Sequence, residues 1–123
     1  KVMISFELWT MNIKSNIEVF SDLKRQKEAW IYGKSVAGSF CWYEEIIQLL
    51  DDSHFEIYLT ENQSKIPRVL YEALKKLQIE LDLYEGQETD AEILKDPEWH
   101  KIVEQAKKVI EIWNKTDSNW ILG

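Results

Sequence analysis

Glycine, cysteine and histidine are scarce in this chain, and each shortage excludes a class of site. Its four glycines form neither a GxGxxG nor a P-loop phosphate motif, and no G-x-S-x-G nucleophile turn is present. The single cysteine and two histidines match no zinc-binding spacing. Residues 51–56 lack the glycine and the regular oxygen positions of an EF-hand. We therefore expect neither a metal ion nor a cofactor.

The chain also lacks an excess of positive charge and any long apolar run. It carries 22 acidic and 15 basic side chains, a net charge of −7, whereas a nucleic-acid-binding face must be basic. No apolar stretch approaches the roughly 20 residues that cross a bilayer, and the first residues, KVMISFELW, do not have the pattern of a signal peptide. The lone cysteine cannot form an internal disulfide. These features predict a cytoplasmic protein that binds neither membrane nor nucleic acid directly.

Aromatic residues are abundant, with six tryptophans, five tyrosines and four phenylalanines. Because 45% of the residues are hydrophobic, the chain can bury a core without a disulfide or a metal. No linker, low-complexity segment or internal repeat divides it. We predict a single domain that spans residues 1–123, as a monomer or a weak dimer.

Apolar and polar residues alternate in three segments, which predicts β-strands at residues 2–8, 54–60 and 78–85. The second and third segments flank a helical pattern, so residues 54–84 are compatible with a βαβ unit or with an antiparallel return. Residues 29–38 are compatible with a short edge strand or with a loop. We predict an α+β (or small α/β) fold: a single compact domain with a three- to four-stranded sheet packed against four or five amphipathic helices.

The spacing of apolar residues predicts helices at residues 16–29, 39–50, 67–77 and from 97 onwards. Ser15 and Glu18 have the spacing of a capping box for the first of these helices. Asp96 and Pro97 form a strong helix start, because aspartate caps well and proline is tolerated at the first helical position. A further helical turn is predicted at residues 90–96. The apolar stripe of the last helix comprises Trp99, Ile102, Val103, Ala106, Val109, Ile110 and Trp113.

Residues 38–42, GSFCW, resemble the nucleophile segment of the papain-type thiol proteases, in which a cysteine opens a helix and tryptophan follows it. Phe40 departs from that pattern, and 123 residues are too few for that fold. A helix start favours thiolate, but a nucleophile also needs a positioned base, and none is evident. We therefore interpret Cys41 as a packed side chain and expect no enzyme. The alternative is a small enzyme or ligand-binding domain with a site assembled from Cys41, His54, Glu56 and Tyr58.

Between Glu80 and Glu98, eight carboxylates accompany a single base, Lys95, so this stretch alone carries a charge of −7. Such a run is compatible with a solvated face or with a docking surface for a basic protein, where complementary charge speeds association. Tyr58 and Tyr84 are predicted to face outward, and aromatic side chains beside acids make good binding hot spots. The predicted partner-binding residues are Glu80, Asp82, Tyr84, Glu85, Glu88, Asp90, Glu92 and Tyr58.

Size and charge favour a small, acidic, protein-binding module over the other functional classes. Bacterial immunity proteins, which neutralise toxin nucleases, have this general size and charge. The leading hypothesis is therefore an inhibitor of a basic protein such as a toxin nuclease. A phage-type inhibitor that mimics the charge of nucleic acid is a second hypothesis, and the small enzyme or ligand-binding domain around Cys41 and His54 is a third.

Overall fold

A computed structural model describes residues 5–32 and 43–122. Of these residues, 82% are helical and none lies in a strand. The elements are α1 (Phe6–Phe20), α2 (Leu23–Tyr32), α3 (Tyr43–Asp52), α4 (Phe55–Asn62), α5 (Arg68–Leu83), α6 (Asp90–Lys95), α7 (Pro97–Lys115) and a 3-10 helix (Ser118–Leu122). The predicted α+β class with a three- to four-stranded sheet is therefore wrong, and the described residues form an all-helical fold.

The first predicted strand lies partly in α1. Residues 2–4 are outside the described part of the chain, and Ser5 caps α1 by accepting a hydrogen bond from the backbone N–H of Leu8 at 3.1 Å. Three residues at helical spacing, Ile13, Ile17 and Phe20, are fully buried. The proposed capping box at residues 15–18 is wrong, because both of its residues lie inside this helix.

The helix predicted at residues 16–29 is broken into α1 and α2 at Ser21 and Asp22. Asp22 begins the second helix, since its side chain accepts a hydrogen bond from the backbone N–H of Arg25 at 3.0 Å. The helix α2 continues to Tyr32, so the first part of the ambiguous segment 29–38 is helical, and residues 33–38 lie outside the described residues.

The segment with the most regular alternation, residues 54–60, is not a strand: His54 precedes α4, and the other residues form most of that helix. Its alternating pattern placed Ile57 and Leu59 on one face, yet Leu59 is fully buried and Ile57 is 49% exposed. The buried residues follow the helical spacing of three, one and three: Phe55, Tyr58, Leu59 and Asn62. Asn62 is polar but buried, and when it is included, the buried positions fit the helical period of 3.6 residues and not the strand period of two.

The third predicted strand, residues 78–85, is largely the last turn and a half of α5, which continues to Leu83. No glycine or proline interrupts that helix, and its leucine, glutamate and glutamine residues are good helix formers. The alternating pattern placed Ile79 and Leu83 on one face of a strand with Leu81, yet they are 48% and 75% exposed, whereas Leu81 is half-buried. The βαβ unit is therefore wrong.

The two helices predicted after residue 89 are confirmed. Residues 90–95 form α6, and α7 begins at Pro97 with Asp96 as its N-cap, whose side chain accepts a hydrogen bond from the N–H of Glu98 at 3.0 Å. In the predicted apolar stripe of α7, all members are buried except the half-buried Ile110.

The helix α7 is the centre of the fold, because it packs along both α5 and α1, while α3 also packs against α1. A buried bond joins α7 to α5, in which the Gln105 amide donates to the carbonyl of Ala73 at 3.0 Å. The 3-10 helix folds back, so that Trp120 lies 5.8 Å from Trp113 and 6.1 Å from Phe6 between ring centroids. The helix α6, which belongs to the acidic stretch, packs against α2 and α7.

Candidate functional site

The acidic stretch runs from the end of α5 through a connecting segment, residues 84–89, into α6 and the first turn of α7. One predicted member does not belong to it: Tyr58 is fully buried in α4, where its hydroxyl shares a 2.7 Å hydrogen bond with Thr10. Burial raises the pKa of Tyr58 to about 12, against the opposing effect of the Thr10 hydrogen bond. The prediction that Tyr58 faces outward is wrong.

Hydrogen bonds to Asp96 fix the position of the connecting segment. One carboxylate oxygen of Asp96 accepts hydrogen bonds from the Tyr84 hydroxyl at 2.8 Å and from the Gln87 amide at 2.9 Å. The other oxygen caps α7 through the N–H of Glu98. These three donors, Gln87 first, hold the pKa of Asp96 below its ordinary value, because they stabilise the ionised form. Burial, and next the bond to Asp96, raise the pKa of Tyr84.

The Tyr84 ring packs against Tyr43 and Trp99. Its centroid lies 6.1 Å from that of Tyr43, edge to face, and 5.5 Å from that of Trp99. Gly86 follows with φ of 80°, a left-handed conformation that glycine adopts without strain, and this brings the segment back over Tyr43. Tyr84 is therefore held in one position at the surface end of the core.

The second half of the acidic stretch has local structural roles. Thr89 caps α6 by accepting the backbone N–H of Glu92 at 3.2 Å, and its hydroxyl donates to the Glu92 carboxylate at 3.0 Å. Asp90 accepts a hydrogen bond from the backbone N–H of Tyr43, and its pKa is raised chiefly by burial. Glu98 lies in the first turn of α7 and pairs with Lys101 at 3.1 Å. Glu92 and Glu98 lie in the first turns of α6 and α7, where the helix dipole stabilises a carboxylate, so these two acids have a structural explanation.

The first half of the stretch has no such explanation. Asp82, Glu85 and Glu88 are exposed, and their carboxylates make no hydrogen bond or ion pair within the described ranges. One carboxylate oxygen of the half-buried Glu80 is buried, also without a hydrogen-bond partner among the described residues. A buried carboxylate oxygen without a donor is unfavourable, because the hydration that it loses is not replaced.

A shallow concavity of about 360 Å³ brings several of these groups together, and we call it the acidic concavity. Its carboxylates belong to Glu80, Glu85, Asp96 and Glu98, and its apolar surface includes Leu83 and Tyr84. No lysine or arginine lines it. Glu88, Asp90 and Glu92 lie outside this concavity, farther along the same stretch.

Asp82 points to a second, larger depression, of about 460 Å³, between α3, α4 and α5, which we call the α3–α4–α5 cavity. His54 and Glu56 also line it, so two members of the alternative Cys41 site share one cavity. Tyr58 lines neither depression, and Cys41 lies outside the described residues. The described part of the chain therefore does not assemble that alternative site.

Two further classes of site find no support in residues 5–32 and 43–122. In these ranges no three histidine, cysteine or acidic side chains are grouped closely enough to hold a metal ion. Of the helices described, none combines the length and the apolar character that a membrane span requires.

Sequence reasoning missed Leu83, whose side chain is 75% exposed among carboxylates. The alternating pattern assigned it to a buried strand face, and only the helical periodicity of α5 places it outside. The acidic concavity offers carboxylates, a leucine and a fixed tyrosine ring, an arrangement that is chemically suited to a cation beside an apolar group. Comparisons of the chain with protein-family models, with curated proteins and with solved structures found no match.

Proposed function

We propose that this protein is a protein-binding module that docks a basic protein through the acidic concavity, and that it acts as an inhibitor of that partner in the cytoplasm. A basic toxin nuclease is the class of partner that fits best, because its own substrate-binding face must be positively charged. The observation that carries the proposal is the concavity itself: four carboxylates surround Leu83 and Tyr84, and no lysine or arginine lines it.

The apolar part of the concavity favours a protein partner over a free cation. Leu83 is 75% exposed, and an exposed leucine beside a half-buried tyrosine makes an anchor that excludes water from neighbouring charge pairs. Tyr84 is held by its bond to Asp96, so little side-chain entropy is lost when a partner covers it.

Glu80 adds a reason for a partner with N–H donors. Its buried carboxylate oxygen makes no hydrogen bond within the described residues. An arginine or lysine side chain entering the concavity supplies the missing donor, and a charged hydrogen bond in a partly dry site is stronger than one in water.

The charges farther along the stretch contribute to steering. Glu85 and Glu88 are exposed on the connecting segment and make no hydrogen bond or ion pair in the described part of the chain. A field of one sign at one end of a molecule raises the association rate of an oppositely charged partner, and salt screens the effect over about 8 Å at physiological ionic strength. We place no catalytic step in the protein.

The test is a measurement of association and dissociation rates with the partner, first captured from an extract of the native host and then purified. The variant Glu85→Lys/Glu88→Lys changes the steering charge, and Leu83→Ser removes the apolar anchor. The matched control is Glu18→Lys/Glu61→Lys, which reverses two exposed carboxylates without ion pairs among the described residues, on α1 and α4.

We expect the Glu85/Glu88 reversal to slow association on the order of tenfold at low salt, and this loss to shrink as salt is raised. Leu83→Ser should mainly speed dissociation, since anchors act after encounter. The control should change neither rate. If both site variants bind as the control does, the acidic concavity is a solvated surface and the proposal fails.

A further inference from the structure

The α3–α4–α5 cavity has the size and walls of a small-molecule site. Its volume of about 460 Å³ lies within the usual range for ligand pockets, roughly 300–1,000 Å³. Leu50 and Phe55, each 5% exposed, form its inner wall with the half-buried Ile47 and Leu81. An apolar ligand group that enters it therefore leaves water for a hydrocarbon surface.

Two aromatic rings form one side of this cavity. Tyr43 and Tyr84 stand edge to face, with interplanar angle 72°, and both line the cavity. The hydrogen bond from Tyr84 to Asp96 fixes one ring, and Trp99, 5.3 Å from Tyr43, supports the other. Rigid tyrosine faces stack with flat ligand groups and attract cations.

The outer part of the cavity is acidic. Asp51, Glu56 and Asp82 line it and are exposed, one from each of the three helices. The exposed His54 is its other ionisable rim group, and no lysine or arginine lines it. Inside, the side-chain oxygen of the buried Gln78 already accepts a hydrogen bond from Lys75 at 3.0 Å, and the charged acceptors available to a ligand cation are the rim carboxylates.

We propose that the α3–α4–α5 cavity binds a small organic cation, a primary amine or a guanidinium carried on an aromatic or short aliphatic body. The body lies between the tyrosine rings and the inner apolar wall, and the charged group lies at the rim among the three carboxylates. A neutral compound of the same shape gains the burial but not the charge pairing, and an anion meets three like charges.

The probes are phenethylamine, 2-phenylethanol and 3-phenylpropionate, which share a phenyl ring and a two-carbon linker and differ in charge. Each is titrated into the full chain, and backbone amide shifts are followed by NMR. We expect phenethylamine to produce saturable shifts in residues 47–57 and 78–84. The neutral and anionic probes should bind at least about tenfold more weakly, because one charge-assisted hydrogen bond is lost.

The double variant Glu56→Gln/Asp82→Asn keeps the shape of the rim and removes two charges. Both side chains are exposed, so the variant should fold. We expect it to weaken phenethylamine binding about three- to tenfold, whereas the matched control Glu61→Gln/Glu18→Gln should bind as the wild type does.

Two outcomes overturn the proposal. One is the absence of saturable shifts up to about 10 mM phenethylamine, which is the weakest affinity expected for a ligand of this size. The other is equal binding of the three probes, which means that charge has no part in the site. Neither outcome bears on the docking of a basic partner, because these titrations need no partner protein.

Discussion

At the scale of single residues, Asp96 has three structural roles. It caps α7, holds the Tyr84 ring and fixes Gln87, all through one carboxylate. The sequence predicted the first task, because Asp-Pro at a helix start is a strong local signal. It could not predict the other two, since they depend on how the chain returns between α5 and α6.

Asp96→Asn should change the acid dependence of stability. The pKa of Asp96 is lowered in the folded state, first by Gln87 and then by the Glu98 N–H and Tyr84, so its contribution is present above the ordinary pKa of 3.8 and is lost as the pH falls through the folded value. Asparagine keeps the cap but has no charge. The difference in free energy of unfolding between wild type and variant should therefore shrink from pH 6 to about pH 2 in urea titrations.

Asp90→Asn provides a comparison of opposite sign. Burial, and in the same direction Glu44, raise the pKa of Asp90, so its ionised form costs stability above the folded pKa and this cost disappears below the unfolded value. Asparagine still accepts the N–H of Tyr43. We expect this variant to be more stable than wild type at neutral pH, and the gain to vanish in acid. A gain that persists at about pH 2 contradicts the assignment.

Gln26 links α2 to both α1 and α7 through its side-chain amide. Its amide donates to the carbonyls of Val19 and Phe20 at 3.0 and 3.1 Å, and its oxygen accepts the indole N–H of Trp99 at 3.0 Å. Gln26→Ala removes three hydrogen bonds, two of which are buried, and should cost about 2–4 kcal/mol in free energy of unfolding. Gln48→Ala, which removes an exposed amide, should cost less than about 0.5 kcal/mol in the same urea experiment. Equal costs contradict a bridging role for Gln26.

At the scale of elements, α7 was predictable and α4 was not, for a physical reason. The stripe of α7 continues over about four turns and follows a helix cap, so no other period fits it. In α4 the pattern is short, and an exposed isoleucine, Ile57, lies between two buried residues that are four apart. In α5, the exposed apolar residues Ile79 and Leu83 likewise produce an alternating pattern that is typical of a strand. Neighbouring helices decide which of these side chains are covered, and a single segment does not contain that information.

Paired truncations distinguish the two interpretations of residues 54–60. A strand places Ile57 and Leu59 on one face, so both truncations should then cost alike. In the helix, Leu59→Ala should cost about 2–5 kcal/mol, because Leu59 is fully buried. Ile57→Ala should cost less than about 1 kcal/mol, because Ile57 is 49% exposed. Similar losses in urea unfolding contradict the helix.

Only part of the candidate site, too, could be predicted from the sequence. The charge of the stretch from Glu80 to Glu98 could be counted in the sequence, and its position beside the end of a helix could not. Glu85 and Tyr84 were predicted to share a surface, and both line the acidic concavity. Asp82 was grouped with them, but it faces the α3–α4–α5 cavity, because a helix turns by about 100° per residue where a strand turns by 180°.

At the scale of the whole molecule, α7 connects elements that are distant in the chain. It packs on α1 and α5, and the bond between Gln26 and Trp99 joins residues 73 positions apart. Without α7, the buried faces of both partner helices have no cover. A fragment that ends at Lys95 should therefore lack a cooperative unfolding transition and bind the dye ANS, as measured by urea titration and fluorescence. A fragment that unfolds cooperatively contradicts the central role of α7.

This arrangement has a consequence for the chain during its synthesis. The ribosome makes residues 80–98 before most of α7, yet the Tyr84 ring packs against Trp99 of that helix and is held by Asp96, the N-cap of the helix. A nascent chain that stops before α7 presents uncovered apolar helix faces, and its acidic concavity is not yet formed. We expect such a chain to be a substrate for chaperones and proteases. The acidic concavity and resistance to degradation should thus arise at the same moment, when α7 closes over α1.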